Sequence, residues 1–239
     1  MASRAKELEN NYSKILERVN KAANGRNVRL VAVSKLKPAQ DIQHLYDVGV
    51  RHFGENYVQE LLDKSKVLPK DINWHFIGGL QSNKCKTLAA EIPNLWAVET
   101  VDTEKKATKL DANRSGLSPI RVFIQVNTSD EPEKSGVSPD DLIPLAKHII
   151  DSCPNLHLQG LMTIGALARS QAAAESSDEH NPDFVLLKSS ADKLQSTFNM
   201  SNLELSMGMS RDFEDAISLG STNVRVGSDI FGARPPKGA

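Results

Sequence analysis

The chain has 239 residues, 39% of them hydrophobic and 25% charged, with a formal net charge of -1, the composition of an ordinary globular protein. That charge, with no basic run along the chain, argues against a nucleic-acid surface. No stretch approaches the ~20 apolar residues that cross a bilayer, the start with Glu7, Glu9 and Glu17 is too acidic for a targeting peptide, and Cys85 and Cys153 lack disulfide or metal spacing.

In chain order, Leu8, Tyr12, Ile15, Leu16 and Val19 recur at helical spacing, so residues 1–25 read as an amphipathic helix ending near Asn24-Gly25. Val28 to Val33 is a β-branched apolar run, suited to a strand buried on both faces. Pro38 cannot donate a ladder hydrogen bond and holds Lys37 extended, so the strand stops there. Lys35 therefore stands at its carboxyl end. Ile42, Leu45 and Val48 mark a helix closed by Gly49. A short strand at 51–53 and Gly54-Glu55-Asn56 lead into a helix that buries Val58, Leu61 and Leu62.

The alternation continues with strands at 74–77, 95–98 and 120–126, followed by helices at 83–91, 103–110 and 140–150. A strand at 156–164 contains Gly160, a signal for a bulge or a close backbone approach. Residues 166–181 are polar and low in complexity and read as a mobile loop, with a helix over 184–198 behind it. The strand at 203–207 leads to Ser210, read as the cap of a helix that runs to Leu219 and ends at Gly220. Residues 223–226 form the eighth strand. Eight strands interleaved with helices, without a linker, predict an α/β protein with one domain over 1–239: a single (β/α)8 TIM barrel. A doubly wound open sheet is the alternative, but units of ~25–30 residues suit closure better.

In both architectures ligands bind beyond the carboxyl ends of the strands. A lysine amine there can condense with an aldehyde once it loses its proton. Its ordinary pKa, near ~10.4, must first be lowered by an apolar wall or a neighbouring cation, and Lys37 is the expected cation. Two turns look made for a phosphate: Ser206-Met-Gly-Met-Ser210 after strand seven and Gly227-Ser228-Asp229 after strand eight, where barrel anion sites commonly lie. A lysine for an aldehyde with a cradle for a phosphate describes pyridoxal 5'-phosphate (PLP). Arg225, just before the second turn, would meet the ring nitrogen. A guanidinium there leaves that nitrogen unprotonated and weakens the ring as an electron sink.

The motifs V-A-V-S-K-L-K-P around Lys35, F-G-E-N-Y-V-Q-E around Asn56, W-H-F-I-G-G-L-Q-S-N-K around His75, G-L-M-T-I-G around Met162, L-S-M-G-M-S over 205–210 and V-R-V-G-S-D-I-F-G-A-R-P from Val224 resemble the pyridoxal phosphate homeostasis protein family, which is related to the N-terminal barrel of alanine racemase. The matches run in order over nearly the whole chain. The resemblance implies one barrel with the PLP fold of alanine racemase, PLP held on Lys35 as a Schiff base, and no established catalytic turnover. By position it implies Arg225 facing the ring nitrogen, Ser206, Gly227 and Ser228 on the phosphate with Ser210 close by, and Asn56, His75 and Met162 around the ring. Ser228 stands where many members have threonine, which keeps the hydroxyl but loses rigidity.

From the residues alone, His75 reads first as a satisfied core histidine and second as a general base. The remaining histidines show no metal spacing, Ser206 and Ser210 lack a Ser-His-Asp order or a G-x-S-x-G elbow, and the faces with Lys64-Lys66 and Lys105-Lys106 read as solvated. Two functions compete. One is a cytoplasmic carrier of vitamin B6 homeostasis, a monomer that holds the reactive aldehyde and releases it to PLP-dependent enzymes through transient contact. The other is an amino-acid racemase of the alanine racemase type. Only about a dozen residues follow the eighth strand, leaving no second β domain to supply a catalytic tyrosine. Tyr12, Tyr46 and Tyr57 fall in helical segments away from the expected rim. The carrier is favoured.

Overall fold

In a computed structural model, which describes residues 3–175 and 180–234, the apolar residues of each strand divide between two surroundings. Leu30 and Ala32 of β1 (Arg29–Val33) face the helices and join the main core, while Val31 and Val33 face the other way, into the barrel. The remaining strands are β2 (His52–Glu55), β3 (Asn73–Phe76), β4 (Leu95–Val101), β5 (Ile120–Gln125), β6 (Leu156–Met162), β7 (Glu204–Ser206) and β8 (Asn223–Val226). All pair in parallel in sequence order, and β8 returns to β1 with Val31 opposite Arg225, closing an eight-stranded barrel. The expected TIM barrel is therefore observed, and the open sheet is excluded by the β1–β8 ladder.

The helices are α1 (Arg4–Ala23), α2 (Ala39–Asp47), α3 (Val58–Val67), α4 (Cys85–Glu91), α5 (Glu104–Ala112), α6 (Leu142–Ser152), α7 (Leu167–Glu175), α8 (Pro182–Phe198), α9 (Phe213–Ser218) and α10 (Ser228–Phe231). Ser3 caps α1 by accepting from the Lys6 N–H, and Asn24 ends it in the left-handed region at φ 48°. Buried Leu8, Ile15, Val19 and Ala23 seat α1 against α2, α9 and α10, over the seam where the barrel closes.

Three expectations need correction. Residues 167–175 are helical, not a loop: the fully buried Asp183 accepts from the Ala166 N–H (2.8 Å) and from Arg169 Nη1 (2.8 Å), which anchors the start of α7 against α8. Residues 176–179 of the expected loop lie outside the described residues. The α9 helix begins at Phe213 with Asp212 as its cap residue, because Asp212 Oδ1 takes the Met209 N–H (2.7 Å) and folds the preceding turn back on itself; Ser210 sits in that turn. Tyr57 lies at the strand-end face after all, as the residue that precedes α3, and is 54% exposed.

Gly160 serves both roles expected of it. The β5–β6 register slips opposite it, and a Cβ there would lie 2.0 Å from the Glu204 carbonyl oxygen, so β6 and β7 approach as closely as only glycine permits.

Candidate functional site

At the end of β1, Ser34 still donates its N–H to Gly54 O (2.9 Å), and its carbonyl then accepts from the Lys37 N–H (3.1 Å). The chain turns tightly there, with Leu36 at φ 61°. Lys35 occupies the corner of that turn, half-buried, on the wall of a cavity of about 320 Å³ at the carboxyl ends of the strands. Burial depresses its amine pKa below the ordinary lysine value, and the Arg234 guanidinium adds to this against the opposing pull of Glu55 and Glu60. The cation beside Lys35 is thus Arg234. Lys37 was expected in that role, but the turn carries it away and its Nζ donates to Ala233 O (2.6 Å).

The two turns after β7 and β8 meet on the opposite wall. Gly208 sits at φ 100°, and a Cβ would come within 2.8 Å of Ala216 and 2.9 Å of Phe213, so only glycine lets the turn close down on α9 and bring Ser210 to the cavity. Gly227 and Ser228 line the same space where α10 begins, and the first N–H groups of a helix have no partner within it. Gly227 has an ordinary backbone at φ -117°, and a Cβ there would meet its nearest neighbour, Val33, at 3.4 Å, an ordinary contact. Its lack of a side chain therefore serves the open cavity wall rather than the fold.

Arg225 reaches the cavity from β8. It is 4% exposed; burial lowers its pKa while Glu99 and Asp212 hold it up. Its Nη2 donates to Thr163 O (2.9 Å), and its Nη1 donates to the Ser206 hydroxyl. Ser206 passes its own proton toward Glu99 Oε2, and Glu99 Oε1 lies 2.7 Å from His75 Nδ1. His75 Nε2 in turn lies 2.8 Å from His52 Nδ1. Burial above all takes His52 down to about 3, and burial also lowers His75 despite its carboxylate. Both rings are therefore neutral at pH 7, each donating through Nδ1. For Glu99, burial pushes upward, but the His75 hydrogen bond and the Arg225 charge outweigh it and keep the carboxylate ionised. The result is a polar chain through the barrel interior with one cation, Arg225, balanced by one anion, Glu99.

Of the residues expected at the site, Lys35, Asn56, Met162, Ser210, Arg225, Gly227 and Ser228 share the cavity wall. His75 and Ser206 do not: both are fully buried one layer below, where His75 is the satisfied core histidine and Ser206 is consumed by Arg225 and Glu99. Asn56 carries a buried Oδ1 with no hydrogen-bond partner, an acceptor at the cavity that a ligand donor would satisfy. Reading along the chain missed Arg234, although it stands in the last motif, and missed Glu99, which lies just past the expected end of its strand. It also mistook Lys64 for a solvated residue; its side chain is 8% exposed and its Nζ lies 2.6 Å from Glu55 Oε1. Burial outweighs that lysine and raises the Glu55 pKa to about 7.

A closed barrel with a lysine at the end of its first strand and an arginine on its eighth is the class of protein this fold and site define: residues 4–235 match the family described as alanine racemase, N-terminal domain. An alanine racemase from Corynebacterium glutamicum shares the fold at a TM-score of 0.67 and 15% identity, over 99% of this chain and 62% of that one. Within that class the chain belongs to the pyridoxal phosphate homeostasis protein family. The Schizosaccharomyces pombe member is 49% identical over 92% of this chain and 90% of its own length, and the human member is 48% identical over 86% and 76%. A solved structure of PipY from Synechococcus elongatus, with PLP bound, is similar at a TM-score of 0.73 and 33% identity, over 90% of this chain and 99% of that one.

Proposed function

We propose that this protein binds PLP at the mouth of the barrel, holds it reversibly on Lys35, and releases it to PLP-dependent enzymes. One observation carries this reading: a half-buried lysine of depressed pKa shares a single cavity with the Ser210, Gly227 and Ser228 turns and with Arg225. Bound PLP supplies an aldehyde that condenses reversibly with an amine, as a Schiff base. The chain supplies the rest. Lys35 presents a readily deprotonated amine, Ser210 and Ser228 would offer hydroxyls to the phosphate beside the open wall of Gly227, and Asn56 Oδ1 would accept from the ring substituents, with Met162 packing against them. Arg225, kept charged by Glu99 and fixed by Ser206 and Thr163, would face the ring nitrogen, and a guanidinium there would not give up a proton to it. His75 and Ser206 act only through Arg225.

A carrier is favoured over a racemase because racemisation needs a second acid or base on the far face of the ring. Among the described residues lining the cavity, the ionisable side chains are Lys35, Lys37, Arg225 and Arg234, with no tyrosine, histidine or cysteine. Lys37 is already tied to Ala233 O. We place the carrier in the cytoplasm, where Cys85 and Cys153, both buried and unpaired, stay reduced. It works as a monomer in transient contact with recipient enzymes.

The purified protein incubated with PLP is expected to show the visible absorbance of a Schiff base, borohydride is expected to trap the label on Lys35, and Lys35→Ala is expected to lose both. Unchanged absorbance in Lys35→Ala would overturn the assignment. Sustained racemisation of added L- or D-amino acids would sink the carrier.

A further inference from the structure

Lys64 projects inward from α3. Its Nζ donates to Ser34 O (2.9 Å), Glu55 Oε1 (2.6 Å) and Glu60 Oε1 (2.7 Å). Glu55 Oε1 also accepts from the Ser34 hydroxyl (2.6 Å), and Glu60 Oε1 accepts from the Leu36 N–H (2.7 Å). Side chains of β2 and α3 thus grip the backbone on both sides of Lys35. The turn they grip is strained. Leu36 holds a left-handed backbone at φ 61°, a region that crowds the Cβ of a non-glycine residue. Such a conformation persists where its surroundings over-determine it. The Leu36 side chain is 46% exposed and packs too little to do so. Beyond the Lys37 N–H to Ser34 O bond that closes the turn, the hydrogen bond from the Leu36 N–H to Glu60, itself anchored by Lys64, holds it.

We propose that Glu60 and Lys64, with Glu55 beneath them, are positioning residues for Lys35: they hold the strained Ser34–Lys37 turn in the form that presents the amine to the cavity. This deepens the reading of Lys35 as the ligand-bearing amine and rests on it. A preformed turn saves the ordering that a mobile one would need at each capture, so the effect falls on the rate of capture. Carboxylate charge also acts on the amine, so geometry must be separated from charge. Glu60 allows this, being partly exposed on α3 and so replaceable without burying an unpaired group.

The test compares Glu60→Ala with Glu60→Gln, whose amide oxygen can still accept from the Leu36 N–H. PLP capture is followed by absorbance on the high-pH plateau, where the amine is neutral in every variant, and hydrogen exchange at the Leu36 amide is measured on the ligand-free protein. Glu60→Ala is expected to slow capture by about tenfold and to speed Leu36 exchange by a similar factor, the scale of one hydrogen bond to a charged acceptor. Glu60→Gln is expected to stay within about twofold of the parent in both, since it keeps the acceptor. Parent-like capture and exchange in Glu60→Ala overturn the proposal. So does a loss in Glu60→Gln equal to that in Glu60→Ala, which would assign the effect to charge. If the parent itself traps no PLP on Lys35, the proposed function fails, while the Leu36 exchange comparison still judges the clamp.

Discussion

An amine that reacts only after losing its proton is governed by the charges around it, and at Lys35 these pull in opposite directions. Burial and Arg234 favour the neutral form, while Glu55 and Glu60 favour the charged one, and the net effect is a lowered pKa. Removing the guanidinium in Arg234→Gln should let that pKa rise toward its ordinary value, leaving less neutral amine between pH 7 and 8. Condensation with pyridoxal should slow there by about two- to threefold, the size of one partly screened charge pair. The rates should converge at high pH. Pyridoxal lacks the phosphate, so a lost attraction for an anion cannot mimic the result; a rate ratio that is constant with pH would refute it. Arg225 presents the contrary case, a cation that burial weakens but that Glu99, 3.8 Å away, retains in its charged form.

The strands bearing the site differ in how firmly they are held. β7 has three residues and pairs with β8 in the regular ladder only at Ser206 and Asn223. Hydroxyls reinforce that seam: Ser221 Oγ donates to Met207 O (2.6 Å), and Thr222 Oγ1 accepts from the Leu205 N–H (3.0 Å). On its other side β7 lies against β6, where Gly160 meets the Glu204 backbone. A methyl at Gly160 would need space the neighbouring carbonyl occupies, so Gly160→Ala must part the two strands. A loss of about 3 kcal/mol is expected, which for a chain of this size lowers the melting temperature by roughly 6–12 °C. A thermal melt within a degree of the parent would show that β7 moves freely at this point. The slip that Gly160 permits was legible from one glycine inside an expected strand. The helix α7 was not, because Ala, Ser and Gln at 170–174 suit loop and helix alike until Asp183 provides an anchor.

On the scale of the whole barrel, the ligand cavity and the interior polar chain make one structure that runs from His52, through His75, Glu99 and Ser206, to Arg225. A ligand that binds only the closed barrel stabilises all of it by mass action. With PLP at a hundredfold excess over its dissociation constant, the gain is about 2.7 kcal/mol, a rise in melting temperature of roughly 5–10 °C. Calorimetry of the parent and of Lys35→Ala, each with and without PLP, checks this: the variant should lose most of the shift. Equal shifts in the two proteins would place the binding energy in the turns after β7 and β8 and in Arg225 alone.

Strand and helix order, barrel closure and the candidate lysine could be read along the chain, because periodicities of two and 3.6 residues are properties of neighbours in sequence, and so are the glycine and serine turns that follow strands seven and eight. Which side chains face one another was decided only when the sheet closed. Glu99 and Asn223 are 124 residues apart and meet inside the barrel. The same closure buries Ser206 beneath Arg225, draws Lys64 under the Lys35 turn and carries Arg234 back beside β1. No local pattern encodes those meetings, since they depend on the distance between elements rather than on spacing within one.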